Sequence, residues 1–185
     1  MQIVIAGSSG FLGTHLSDEL IRRGHAVTAL VRRPSSAPDE STWDPYAGIY
    51  DRDVIEASLA LASAVKLNDE ELPIVAELCG IESGAPRETV RALMARYGLR
   101  IAALTRGPRG ALLFGEEVDD ECSAPRSTAV DTVGAGDSFT ATMVMGVLHG
   151  LPLDRINRHA NAVASFVCSQ AGATPAIPDA LRTFA

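Results

Sequence analysis

The chain has 185 residues, 46% hydrophobic and 21% charged, which fits one globular domain with a full core and excludes a disordered or fibrous class. A formal net charge of −7 excludes a general nucleic-acid or anionic-membrane surface. No apolar run reaches the roughly 18 residues that a membrane-spanning helix needs, and the apolar start Met1–Ala6 lacks a basic leader, so a cytoplasmic protein is expected.

Gln2–Ala6 is short, β-branched and almost wholly apolar, the pattern of a strand buried on both faces of a parallel sheet. Gly7-Ser8-Ser9-Gly10-Phe11-Leu12-Gly13 follows, then a helical stretch to about Arg23 carrying Leu12, Leu16 and Leu20 at helical spacing, then a second strand at Ala26–Val31. In such a βαβ unit Gly7 permits the tight turn, Gly10 lets backbone approach a pyrophosphate and Gly13 lets helix and strand pack closely. The amides at the helix start would hold the phosphate. Arg32 and Arg33 after the second strand suit a 2′-phosphate, and equally suit a solvated strand end. Residues 34–53 are rich in turn formers and read as a loop with a short extended piece near Trp43; the seam between two segments is placed there.

Beyond the seam, the pattern predicts a helix over 54–62, a strand over 63–67 and a helix over 69–79 with Asn68 as its N-cap. A helix over 86–97 begins with proline and ends at Gly98. Strands over 100–105 and 110–114 join through the Gly107–Gly110 turn, with an edge strand within 117–125. Two long apolar helices cover 135–149 and 153–170. Lys66 is the only lysine, so any chemistry needing an ε-ammonium must use it. Cys79, Cys122 and Cys168 have no metal-site spacing and read as reduced, buried thiols.

Asp131-Thr132-Val133-Gly134-Ala135-Gly136-Asp137 opens the first of the long helices. The amides of Gly134, Ala135 and Gly136 would converge at a helix N-terminus, where they stabilise charge on a transferred phosphoryl group. Asp137 in the first turn is placed to accept a proton from an attacking hydroxyl. The bland alternative is a glycine loop followed by a helix-favouring aspartate.

Two family resemblances follow from these strings. Ile3 to Gly13, with Leu30-Val31-Arg32-Arg33-Pro34 and Trp43-Asp44-Pro45, resembles the extended short-chain dehydrogenase/reductases over about residues 1–50. That resemblance implies an NADP(H) site at Gly7, Gly10, Gly13, Arg32 and Arg33. The family's Tyr-x-x-x-Lys pair is absent, because none of Tyr46, Tyr50 and Tyr97 has a lysine four residues on; dehydrogenase activity is not expected.

From about Asp51 to the end the chain resembles the ribokinase-like, PfkB-type carbohydrate kinases. The resemblance implies ATP and Mg²⁺ at the N-x-x-E pair Asn68 and Glu71, and nucleotide contacts at Thr105, Gly107 and Gly110 of the T-x-G-x-x-G segment. It implies an anion hole at Gly134, Ala135 and Gly136, with Asp137 as base. Asn161 falls at the adenine pocket, and Asp131 and Val133 fall near a monovalent-cation (K⁺) loop.

Together these readings predict a three-layer α/β/α protein, Rossmann-like and ribokinase-like, with a mostly parallel sheet shared by segments 1–50 and 51–185 in one integrated domain. An abrupt switch of family reads as a chimera, recombined or engineered. Residues 1–50 do not resemble the kinase family's sugar-binding half, so the leading expectation is ATP–Mg²⁺ binding with little or no parental catalysis and a doubtful sugar acceptor. The alternatives are a working carbohydrate kinase with Asp137 as base, an NADP(H)-binding module, and a purely structural recombination. Open strand edges allow a homodimer; nucleic-acid and membrane partners are not expected.

Overall fold

A computed structural model describes residues 2–6, 11–31, 36–42, 52–82 and 84–184. The N-terminal unit runs β1 (Gln2–Ala6), α1 (Phe11–Arg22), β2 (Ala26–Val31) and β3 (Glu40–Thr42). It is followed by α2 (Arg52–Leu61), β4 (Ala64–Asn68), α3 (Glu71–Leu78), α4 (Pro86–Tyr97), β5 (Ile101–Thr105), β6 (Ala111–Phe114) and β7 (Asp119–Cys122). Three helices close the chain, α5 (Ala135–Leu148), α6 (Leu153–Cys168) and α7 (Asp179–Arg182).

β1, β2 and β3 pair in parallel, in that order. The expected extended piece before the seam is therefore β3, which lies just before Trp43 and extends the βαβ ladder. β4 pairs in parallel with β5, but β5–β6 and β6–β7 are antiparallel. The sheet is thus mixed rather than mostly parallel. Connection length is the reason: only the 3-10 turn Gly107–Arg109 and its flanks separate β5 from β6, and only residues 115–118 separate β6 from β7. A parallel return needs a crossover of about a dozen residues, so these strands can only fold straight back. The expectation of one shared sheet is also revised. Among the described residues the ladders form two sheets, β1-β2-β3 and β4-β5-β6-β7, with no ladder joining them.

Strand alternation builds the layers. Ala102, Leu104, Leu112 and Phe114 pack with Leu72, Val75, Val90, Leu93 and Met94 of α3 and α4. The intervening Ala103, Ala111 and Leu113 point to the other face and pack with Phe139, Met143, Ile156 and Ala160 of α5 and α6. Helices on both faces of a strand layer make the three-layer α/β/α architecture. The two covering helices on the second face approach closely at Gly146, where a Cβ would sit 2.6 Å from Ile156 Cγ1. At the chain's end Phe184 stacks on His159, their ring centroids 4.6 Å apart, and His159 Nε2 lies 3.1 Å from the Leu181 carbonyl.

Candidate active site

β4 and β5 end side by side, with Asn68 in register with Thr105. The N–H of Asp69 donates to the Thr105 carbonyl (3.1 Å), and the Thr105 hydroxyl donates to the Leu67 carbonyl (3.4 Å). The N-x-x-E and T-x-G-x-x-G segments thus meet at the carboxyl ends of two adjacent parallel strands, where α/β sheets place their ligands. Asp69 is further tied to the second segment by an ion pair with Arg109.

Asn68 and Glu71 have a local role that sequence reading only half anticipated. The Asn68 carboxamide oxygen accepts from the N–H of Glu70 (2.9 Å) and of Glu71 (2.7 Å), while Glu71 Oε2 accepts from the N–H of Asn68 (2.7 Å). This reciprocal pair is a capping box. The regular bonds of α3 begin at Glu71, with Asp69 and Glu70 forming the turn that leads into it, two residues later than expected. The arrangement presents hard oxygen donors that suit Mg²⁺ held jointly with phosphate oxygens. Glu71 stays 48% exposed at its side chain, so its carboxylate remains reachable.

α5 begins as predicted. Gly134 is its N-cap with φ +83°, no side chain caps the helix, and Asp137 is the acidic residue of the first turn. The N–H groups of Gly136 and Asp137 have no acceptor among the described residues, so they remain available to an anion. Asp137 is exposed. Beneath the turn, Asp131 is already committed: Oδ1 accepts from the N–H of Val133 (3.0 Å) and Oδ2 from that of Gly172 (3.1 Å). Its backbone N–H and that of Val130 donate to the Cys168 carbonyl. The predicted cation loop is therefore pinned to the end of α6 by Asp131, while Val133 lies 61% exposed. Burial, and then the Asp131 carboxylate, push the Cys168 thiol above its usual range, which keeps it protonated at neutral pH.

Lys66 links these two clusters. Its Nζ lies 3.8 Å from Glu71 Oε2, and a Cβ on Gly136 would lie 3.6 Å from the same Nζ. Beside it an apolar recess of about 250 Å³ is lined by Ile55, Leu67, Ile74 and Leu78 together with Lys66 and Glu71.

Asn161 departs from its predicted place on a pocket wall. It is only 4% exposed, and its amide donates to the backbone carbonyl and Oδ1 of Asn157, both at 2.9 Å. Asn157, fully buried and missed in the sequence reading, donates to the Ala111 carbonyl (3.1 Å) and to Asp120 Oδ2 (2.7 Å). Asn157→Leu removes this hub and takes its amide donor away from the Ala111 carbonyl and the half-buried Asp120 carboxylate. Each lost bond costs about 0.5–1.5 kcal/mol, more where the acceptor is charged. A clearly lowered urea midpoint at unchanged slope is expected, and an unchanged midpoint would show the network to be neutral.

The expected NADP(H) residues Gly7, Gly10, Arg32 and Arg33 lie outside the described residues; Gly13 falls inside α1.

The profile of the pfkB family carbohydrate kinases matches residues 39–180. A fructokinase of Klebsiella pneumoniae is 38% identical over 104 residues, which are 55% of this chain and 32% of that protein. A nucleoside kinase of Methanothermobacter thermautotrophicus is 28% identical over 131 residues, 71% of this chain and 40% of the relative. The chain therefore spans well under half the length of either curated relative. The structure of Burkholderia thailandensis nucleoside kinase in complex with ADP-inosine superposes with a TM-score of 0.63 at 21% identity, over 93% of this chain and 48% of that one.

These matches revise the two-family reading. The kinase match begins at residue 39, so Trp43-Asp44-Pro45 lies inside it and not in a reductase-derived segment. A superposition over 93% of the chain extends the same fold to described residues N-terminal to position 39 as well. The comparisons lend no support to a reductase-derived segment, an engineered joint or NADP(H).

Proposed function

Because this chain belongs to the pfkB family of carbohydrate kinases, we propose that it binds ATP–Mg²⁺ and transfers the γ-phosphoryl group to a hydroxyl of a sugar or nucleoside. The observation that carries the reading is the start of α5: a glycine N-cap at φ +83°, free amides at Gly136 and Asp137, and a carboxylate in the same turn. Phosphoryl transfer asks little covalent chemistry of the protein; it needs aligned groups and positive potential around the equatorial oxygens. The α5 amides and helix dipole supply that potential. Asp137, exposed beside them, would accept the proton of the attacking hydroxyl. The paired ends of β4 and β5 would receive the nucleotide along Thr105, Gly107 and Gly110. The Asn68–Glu71 turn would hold Mg²⁺, whose charge offsets that of the phosphates. Asn161, through Asn157, would act as a buried support of that wall and not as a direct contact. Asp131, bound to the amides of Val133 and Gly172, would shape a K⁺ loop with Val133.

The fructokinase and nucleoside kinase likenesses point to a polyol or ribose hydroxyl as acceptor class. Calorimetric titration with ATP–Mg²⁺ tests the reading, followed by ADP release with a panel of hexoses, pentoses and ribonucleosides. Saturable ATP binding and acceptor-dependent ADP release are expected. A flat titration with ATP, or ADP release indifferent to every acceptor, defeats the kinase reading.

A further inference from the structure

The turn between β5 and β6 is tied down on two sides by arginines in unlike settings. Its own backbone closes it: the Arg106 N–H donates to the Gly110 carbonyl (2.8 Å) and the Gly110 N–H to the Gly107 carbonyl (3.0 Å). The tip, residues 107–109, is exposed. On the β4 side Arg109 reaches Asp69, with 70% of the arginine side chain in solvent. An ion pair that open to water holds little. On the other side Arg106 passes the start of β6 to reach β7, where its Nη2 donates to Glu121 Oε1 (2.9 Å). Only 19% of the Arg106 side chain is exposed. Glu121 Oε2 accepts in turn from Arg87 Nη2 in the first turn of α4 (2.5 Å). The two guanidiniums, Arg106 first and Arg87 second, hold the Glu121 carboxyl below the usual carboxylate range, so it is charged at neutral pH. Arg106 Nε is buried with no partner among the described residues, although a side chain rooted at an open turn has water within reach. Arg106 is thus kept folded inward, drawing the turn against β7. The fit is tight there, since a Cβ on Gly110 would overlap the Cys122 carbonyl oxygen.

We infer that Glu121 is a positioning residue for the nucleotide: through Arg106 it holds the Thr105–Gly110 turn in the conformation that the nucleotide meets. The inference rests on the kinase reading, which brings the nucleotide to that turn. It adds a residue on the edge strand β7 that itself touches no ligand. A turn held in place before binding has less freedom to lose when the ligand arrives, so the tie acts on affinity. It acts on ATP and ADP alike, because both would occupy the same turn. The chemical step stays with Asp137 and the start of α5, which the tie does not reach.

Glu121→Gln tests this, because it removes the charge from a side chain that is 49% exposed and leaves its size unchanged. Calorimetry is expected to show ATP–Mg²⁺ and ADP–Mg²⁺ affinity falling by the same factor, at least fivefold. In steady state KM for ATP rises to match, while kcat and KM for the acceptor stay within twofold of the parent. Arg106→Gln is expected to reproduce the loss, and Arg106→Lys, which keeps the charge, to recover part of it. The double variant Arg106→Gln/Glu121→Gln is expected to lose no more than the larger single loss, since both changes cut one tie. Arg109→Gln, which cuts the exposed tie on the other side, leaves affinity within twofold. If the Arg106 variants fail to fold, Glu121→Gln decides alone. ATP affinity within twofold of the parent in Glu121→Gln, a fall in kcat at unchanged KM for ATP, or single losses that simply add in the double variant overturns the inference while the kinase reading stands. No ATP binding by the unaltered protein overturns both.

Discussion

Gly134→Ala is expected to lower the melting temperature by several degrees and to remove saturable ATP binding. Two costs add at this position. Gly134 holds φ +83°, a left-handed conformation that an L-residue adopts at about 1–2 kcal/mol. A Cβ there would also overlap the carbonyl oxygen of Ala173, a backbone atom that cannot swing aside. Relief requires the 130–134 loop and the 172–173 turn to part. That movement breaks the Asp131–Gly172 bond and rotates the first amides of α5 away from their common focus. One substitution thus strikes stability and the anion site together. Gly136→Ala is the control. Its φ is not left-handed, its Cβ would be in ordinary contact with Lys66 Nζ at 3.6 Å, and glycine within a helix is worse than alanine by about 0.5–1 kcal/mol. The control should fold at least as stably as the parent, so that any loss of ATP affinity it shows reports on the site alone. Melting curves and calorimetry check both variants. A Gly134→Ala protein that melts with the parent and binds ATP as tightly would mean that the loop is softer than its packing implies.

Most elements were legible because their punctuation is local. Pro86 and Gly98 bracket α4, and the apolar-rich stretch closed by Gly150 marks α5, whose Phe139 and Met143 are buried. The antiparallel return of β6 was equally available, since the turn between it and β5 is too short for a crossover. The double meaning of Asn68 and Glu71 lay in the same four residues: an asparagine followed three residues later by a glutamate is a capping pattern as well as a ligand pair. What sequence could not supply was tertiary closure. Lys66 and Gly136 belong to different elements, and nothing in either string says that they meet. Asn157 looks like any polar residue of an amphipathic helix until β6 and β7 bring the Ala111 carbonyl and Asp120 to its amide. The reductase resemblance misled for a physical reason. A strand, a glycine turn and a helix are what any doubly wound sheet requires for backbone approach and close packing. The pattern therefore marks the architecture more strongly than it marks a family.

Asp137→Asn is expected to lower the turnover number by about 10²–10⁴, the usual contribution of a positioned general base, while leaving ATP affinity within about twofold. At 1.36 kcal/mol per decade this is roughly 3–5 kcal/mol of barrier. Geometry makes the separation sharp. Asp137 is exposed, so replacing its carboxylate by the equal-sized amide opens no cavity and breaks no packing. The stability cost should stay within the roughly 0.3–1 kcal/mol that a carboxylate contributes at a helix N-terminus. Its N–H, the part of the residue that would meet a phosphoryl oxygen, is retained in the variant. Steady-state rates with the best acceptor, set beside calorimetric dissociation constants for ATP, measure turnover and affinity separately. A variant that keeps the parent's turnover would move the base to another residue. One that loses ATP affinity in proportion to turnover would make Asp137 a structural part of the helix start, leaving the hydroxyl's proton to pass directly to water or phosphate.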